Sequence, residues 1–321
     1  MRDLLAIEDL DRAQIEAVLD RAESFAEVGR RDIKKVPTLR GRTIVTLFFE
    51  ASTRTSSSFE LAAKRLSADV VSVKAAGSSV DKGESLKDTV ATLSAYDPAA
   101  IVIRHPHAGA AKLVSRWTEA AVVNAGDGKH EHPSQALLDV YTLRRRLGDL
   151  DGRRIWIVGD VLHSRVARSN LVAFRELGAE VTVAGPPTLI PRGIEQLGCD
   201  VAYDLEGLAE ADVVYALRMQ RERMSETFVP SLREYAAHFQ IDGRRLGPRQ
   251  LLMHPGPVNR GVELSGEVID SSRSLIAEQV ASGLVVRMAI LYEILAGSER
   301  PEPVGDGDGG SEQPTPIGQP A

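Results

Sequence analysis

Short apolar runs alternate with helical patterns along most of this chain, and that alternation sets its fold class. TIVTLFF at 43–49 predicts a strand, Phe59, Ala62, Ala63 and Leu66 follow at helical spacing, and DVVSV at 69–73 predicts the next strand. SLKDTVATLSAY puts Leu86, Val90 and Leu93 on one helical face, with Ser85 and Asp88 spaced as a capping box. AAIVI and AVVN continue the strands. A second series runs through RRIWIVGD, a helix after Ser164, EVTVAG, DVAYD, DVVYAL and LLMHPGP. Runs this continuously apolar, alternating with helices, predict parallel strands covered on both faces. The expected class is α/β, with two domains, each a parallel β-sheet flanked by helices.

Between the two series, SQALLDVYTLRRRLGDL aligns Ala136, Val140, Leu143 and Leu147 and predicts a crossover helix. LIAEQVASGLVVRMAILYEILAG aligns Ile276, Val280, Leu284, Met288, Leu291 and Leu295, so a deeply packed helix returning to the first domain is expected. Glu278, Arg287 and Glu293 interrupt it, which suits a buried helix and not a membrane span. The expected division is 1–135, completed by a helix at 274–296, and then 136–273. Residues 297–321, rich in Gly, Pro, Asp and Glu, bury too little apolar surface to offset their ordering, and a disordered tail is expected.

A length of 321 residues with 43% apolar content can fill two cores. Net charge is −6, but Glu299, Glu302, Asp306, Asp308 and Glu312 against Arg300 place −4 of it in the tail. The remainder is near neutral, which argues against nucleic acid or an anionic membrane as partner. The opening MRDLLAIEDLDRAQIEAVL carries acids throughout, unlike a signal or transit peptide, so a cytoplasmic protein is expected. Cys199 stands alone, which excludes an internal disulfide and a cysteine-rich zinc site.

FFEASTRTSSSFE gathers Ser52, Thr53, Arg54 and Thr55 where a strand gives way to a helix. A helix mouth at the carboxyl edge of a parallel sheet offers free N–H groups and a positive dipole end, to which hydroxyls and a guanidinium add phosphate donors. Capping of the helix by Ser52 or Thr53 with a solvated Arg54 fits the spacing equally well. The stretch is not a GxxxxGK[ST] loop. IWIVGDVLHSRVARSN has Gly159 but no GxGxxG, so a dinucleotide lacks its close-approach turn. His105 with His107, and His130 with His132, are paired imidazoles without HExxH spacing, and neither metal nor cofactor is expected.

STRT and HEHPSQALLDVYTL resemble the two signatures of the aspartate and ornithine carbamoyltransferases, and SSVDKGESLKDT, RMQRER and HPGPVNRG resemble the catalytic chains of the aspartate branch. The resemblance runs in family order to about Ala296. It implies transfer of a carbamoyl group from carbamoyl phosphate to L-aspartate, an early step of pyrimidine synthesis, without metal. It gives phosphate to Ser52, Thr53, Arg54 and Thr55, and the carbamoyl oxygen to Arg104 and His132. Gln135 and the carbonyls of Gly256 and Pro257 take the carbamoyl nitrogen. Arg165, Arg218 and Gln220 take aspartate. Ser78 and Lys82 enter the site from a neighbouring chain, Lys82 contacting both substrates, so a homotrimer with shared sites is implied. From the residues alone, Arg104, Arg165 and Arg218 read equally as surface arginines and His132 as structural. HPGP departs from the family in having Gly256 where Leu is frequent. An ornithine carbamoyltransferase is the nearest rival, disfavoured by so cationic a pocket, and an inactive assembly subunit is the non-enzymatic one. Regulatory chains and a dihydroorotase are further partners on which the sequence does not decide.

Overall fold

A computed structural model describes residues 1–74, 83–220 and 228–296. Ser78, Lys82 and the acidic tail lie outside the described residues. Helix α1 (Arg12–Val28) opens on a complete capping box, in which Asp11 accepts from the Gln14 N–H at 2.8 Å and the Gln14 side chain accepts from the Asp11 N–H at 3.0 Å. There follow β1 (Thr43–Phe48), α2 (Thr53–Arg65), β2 (Asp69–Lys74), α3 (Leu86–Ser94), β3 (Ala100–His105), α4 (Ala110–Val114) and β4 (Ala121–Asp127). The crossover helix is α5 (Pro133–Leu147). Beyond it come β5 (Arg154–Val158), α6 (Arg165–Glu176), β6 (Glu180–Ala184), β7 (Asp200–Ala202), β8 (Val213–Ala216), α7 (Leu232–Phe239), β9 (Leu251–Met253), α8 (Gly266–Ile269) and α9 (Ile276–Leu295).

Strand order is β2-β1-β3-β4 in the first sheet and β7-β6-β5-β8-β9 in the second, with every pairing parallel. The chain leaves β1 to one side for β2 and returns on the other for β3; likewise it leaves β5 for β6 and returns for β8. Loops therefore diverge above β1/β3 and above β5/β8, and in open α/β sheets such points leave a crevice at the carboxyl ends of the strands. Ser52, Thr53, Arg54 and Thr55 follow β1, Arg104 lies near the end of β3, Arg165 follows β5, and Arg218 and Gln220 follow β8. His132 and Gln135 follow β4, and Gly256 and Pro257 follow β9, so all lie at the carboxyl ends of strands.

The apolar core is more continuous than two separate cores would be. One face of each sheet joins a single buried cluster through α5, whose Ala136, Leu137, Val140, Tyr141 and Leu143 are all buried, while the outer faces close over smaller clusters. Helix α9 packs against α1, α2 and α5. Of the expected row, Met288 and Leu291 are buried and Leu284 and Leu295 pack partly buried against the core, but Val280 is 59% exposed, and Gln279, Gly283, Val286, Ile290 and Ile294 complete the inward face. Steps of four residues advance 400° per step, so a row followed from Ile276 drifts off any one face. The capping box at α3 is also only half formed. Ser85 accepts from the Asp88 N–H at 3.2 Å, but the Asp88 carboxylate takes the Ser85 hydroxyl at 2.6 Å and not its backbone.

Ile290→Ala is expected to cost about 2–5 kcal/mol as a core truncation, and Val280→Ala less than about 0.5 kcal/mol. Urea unfolding checks this, and equal losses would contradict the assigned face.

Candidate active site

Ser52 is the N-cap residue of α2, but its side chain makes no cap bond. Its hydroxyl instead accepts from Arg104 Nη1 at 3.2 Å, which corrects the capping expectation. The register of β1 on β3 sets this up, since Phe48 pairs with Arg104 and the Phe49 N–H donates to the Arg104 carbonyl at 2.8 Å. Thr55 is buried in the first turn, while Thr53 and Arg54 face outward. The guanidinium of Arg54 rests against Gly256, where a Cβ would stand only 3.1 Å from it. Gly256 also has φ +62°. Glycine in place of the family's frequent Leu thus permits both the turn and the approach of Arg54. Burial, then the charge of Arg218, hold the Arg54 guanidinium below its ordinary value, so these two cations share a field.

Glu50 joins the two sheets, and the sequence reading passed over it. Its Oε2 accepts from Arg104 Nε at 3.2 Å and from Arg165 Nη2 at 2.7 Å. Arg165 opens α6, which Ser164 caps through the Ala167 N–H. Far from a solvated first-turn residue, its side chain is 3% exposed and also donates to the Gly128 carbonyl at 3.2 Å. Gly126, at φ +116°, lies beneath that guanidinium, and a Cβ there would come within 2.9 Å of it. The register of β3 on β4 shifts beside this glycine.

At the end of β8, Gln220 is buried and its N–H donates to Asp160 at 3.1 Å. Asp160, buried after β5, also accepts from His163 Nδ1 at 2.8 Å. His132 occupies the N-cap position of α5 without a side-chain cap bond and is buried, with its N–H on Ser169 Oγ at 2.8 Å. The Ser169 hydroxyl donates to Glu131 at 2.7 Å, and Glu131 further accepts from the Ile7 N–H at 3.1 Å. Gln135 lies one turn below. Its Nε2 donates to Asp139, a fully buried carboxylate whose pKa burial pushes up to about 6 against four opposing hydrogen bonds.

The turn after β9 is held by His254. Its Nδ1 accepts from the Gly256 N–H at 2.8 Å, which leaves the proton on Nε2, 3.3 Å from Glu263. Its own N–H donates to Gln279 of α9 at 3.0 Å. Burial lowers the imidazole's pKa, Glu263 opposes, and the cations Arg54 and Arg218 lower it further. Pro257 follows across a cis peptide.

The other histidine pairs are engaged locally. His107 N–H donates to His105 Nδ1 at 3.1 Å, and His130 Nδ1 lies 3.1 Å from Asp127. Among the described residues no group of three or more His, Cys, Asp and Glu is arranged to hold a metal ion. What converges is a set of cations, hydroxyls and braced backbone groups. Such a set binds anions and stabilises developing negative charge without a covalent intermediate. Glu50, Glu131, Asp139, Asp160 and His254 escaped the sequence reading. Asp139 alone carried a signal there, as a lone carboxylate on the apolar crossover helix.

Two family models match the chain: aspartate/ornithine carbamoyltransferase, carbamoyl-P binding domain, over residues 2–145, and the Asp/Orn binding domain over residues 151–294. The aspartate carbamoyltransferase catalytic subunit of Acidothermus cellulolyticus is 56% identical over 303 residues, covering 93% of this chain and 94% of the relative. That of Salinispora arenicola is 55% identical, covering 94% of this chain and 100% of the relative. Among solved structures, aspartate transcarbamoylase from Trypanosoma cruzi in complex with carbamoyl phosphate superposes with a TM-score of 0.85 at 32% identity, covering 92% of this chain and 96% of that one.

The His254 tautomer has a consequence for pH. A base whose folded pKa lies below its unfolded 6.5 contributes stability that is present above 6.5 and lost as pH falls below it. Asp139, raised from 3.8 to about 6, acts in the opposite sense, its contribution being present below 3.8 and lost as pH rises through 6. A variant therefore isolates His254. His254→Asn, whose Oδ1 can take the Gly256 N–H without titrating, is expected to lose less melting temperature than wild type between about pH 7.5 and about pH 5.5. An equal loss would contradict the assignment.

Proposed function

This chain belongs to the aspartate/ornithine carbamoyltransferase family, and from that premise we propose that it transfers the carbamoyl group of carbamoyl phosphate to the amino group of L-aspartate. The products are N-carbamoyl-L-aspartate and phosphate, a step of pyrimidine biosynthesis. One arrangement supports the reading above all others: Glu50 ties Arg104 of the first sheet to Arg165 of the second. Phosphate-type donors at α2 and carboxylate-type cations at α6 and β8 therefore border one site.

In this reading Ser52, Thr53, Arg54 and Thr55 take the phosphate, together with Ser78 of a neighbouring copy. Arg104 and His132 take the carbamoyl oxygen, where negative charge grows as the neutral amine attacks. Gln135 and the carbonyls of Gly256 and Pro257 take the carbamoyl nitrogen. The C–N bond forms, the C–O bond to phosphate breaks, and the departing phosphate is a base placed to accept the amine's proton. Arg165, Arg218 and Gln220 hold the aspartate carboxylates, each charge-assisted bond contributing about 1.5–3 kcal/mol. The same cations repel the side-chain ammonium of ornithine. We further assign residues 1–135 with α9 to carbamoyl phosphate, residues 136–273 to aspartate, Lys82 to the site of a neighbouring copy in a homotrimer, and the cytoplasm as compartment.

The purified full chain, given carbamoyl phosphate, is expected to form product with L-aspartate and none with L-ornithine. Product from ornithine, or from neither acceptor in a folded protein, would overturn the reading. For the shared site, inactive Arg54→Ala and Lys82→Ala proteins, dissociated and remixed, are expected to regain roughly a quarter of wild-type activity by counting trimer arrangements. Verified mixing without recovery would place both residues in one chain's site.

A further inference from the structure

Asp139 is buried in α5, yet each of its oxygens accepts two hydrogen bonds. Oδ1 takes Gln135 Nε2 at 3.0 Å and Gln279 Nε2 at 2.7 Å; Oδ2 takes Asn170 Nδ2 at 2.9 Å and the Tyr215 hydroxyl at 2.7 Å. An ionised carboxylate only accepts, so it obliges both glutamines to turn their amide nitrogens toward it. Their oxygens are thereby directed elsewhere. Gln279 Oε1 accepts the His254 N–H at 3.0 Å, and His254 in turn holds the Gly256 N–H at 2.8 Å. Gln135, whose nitrogen is spent on Asp139, has its oxygen left to receive a donor.

We infer that Asp139 is a positioning residue that sets the polarity of the subsite for the carbamoyl nitrogen. It makes Gln135 an acceptor and, through Gln279 and His254, fixes the turn whose Gly256 and Pro257 carbonyls are acceptors too. The inference rests on the carbamoyl-transfer reading above. A subsite built wholly of acceptors suits an NH2 group and leaves its oxygens unpaired against a methyl. It therefore separates carbamoyl phosphate from acetyl phosphate, which has nearly the same shape and the same phosphate. Discrimination by withheld hydrogen bonds of this kind is large, because the enzyme's buried polar groups are left without partners.

Asp139→Leu keeps nearly the same branched shape but removes both acceptor oxygens, so neither glutamine amide is held with its nitrogen inward, whereas Asp139→Asn could keep its oxygen on both glutamines and turn its NH2 to Tyr215 and Asn170. The test measures dissociation constants of carbamoyl phosphate, acetyl phosphate and inorganic phosphate for the full-length wild type and the variant. Wild type is expected to prefer carbamoyl over acetyl phosphate by about tenfold or more. In Asp139→Leu that preference is expected to collapse toward unity while acetyl phosphate and phosphate bind within about twofold of wild type. Tyr215→Phe, which removes a donor from the other oxygen only, is expected to keep the preference. If Asp139→Leu does not fold, Gln279→Met carries the test by cutting the His254 arm alone, with the preference expected to fall. An unchanged preference in the variants, or a parallel loss of all three ligands, would overturn the inference. A folded wild type that binds phosphate but shows no preference for carbamoyl phosphate would instead overturn the reading on which it rests.

Discussion

Everything at this site depends on a carboxylate placed between two guanidiniums. Arg54, Arg104, Arg165 and Arg218 converge from separate strand ends, and cations brought together out of water repel one another while each loses hydration. For a nearly buried charge such as Arg165 that cost is several kcal/mol unless it is paired and hydrogen-bonded. Glu50 and the Gly128 carbonyl supply the pairing. Because Glu50 also holds Arg104, the same contact fastens the edge of one sheet to the edge of the other. An incoming carboxylate or phosphate meets arginines already oriented by an internal anion, and can share or replace it.

Around that contact the polar groups are fixed by backbone bonds and not left to side-chain freedom. His132 is braced through Ser169 and Glu131, Gln220 through Asp160, and the turn at Gly256 through His254. These braces come from α6, β5 and α9, so the packing of the apolar cluster that runs through α5 is what sets the geometry of the polar site. Preorganisation of this kind places hydrogen-bond donors before charge develops, and needs no reorganisation at the moment of reaction.

The strands and helices were legible because their apolar periods are local properties of the chain. So were the hydroxyls and Arg54 at a helix mouth, where residue type and position coincide. The residues that were not legible act across distance. Glu50 meets Arg165 only because β1 and β5 end at facing edges of two sheets, an outcome of strand order that no local pattern encodes. Ser52 looked like a cap, but the register of β1 on β3 delivers Arg104 to its hydroxyl. On α9 Val280 faces outward and its neighbour Gln279 inward, about 100° away around the helix, where Gln279 bonds Asp139 and His254, partners that apolar periodicity does not reveal.

The central claim is that the mouth of α2 is an anion site completed by Arg54. Calorimetric titration of inorganic phosphate into wild type and Arg54→Ala tests it most directly. Saturable binding is expected, one phosphate per chain, weakened about tenfold or more in a variant that keeps its melting temperature. Equal binding by the two proteins would contradict it.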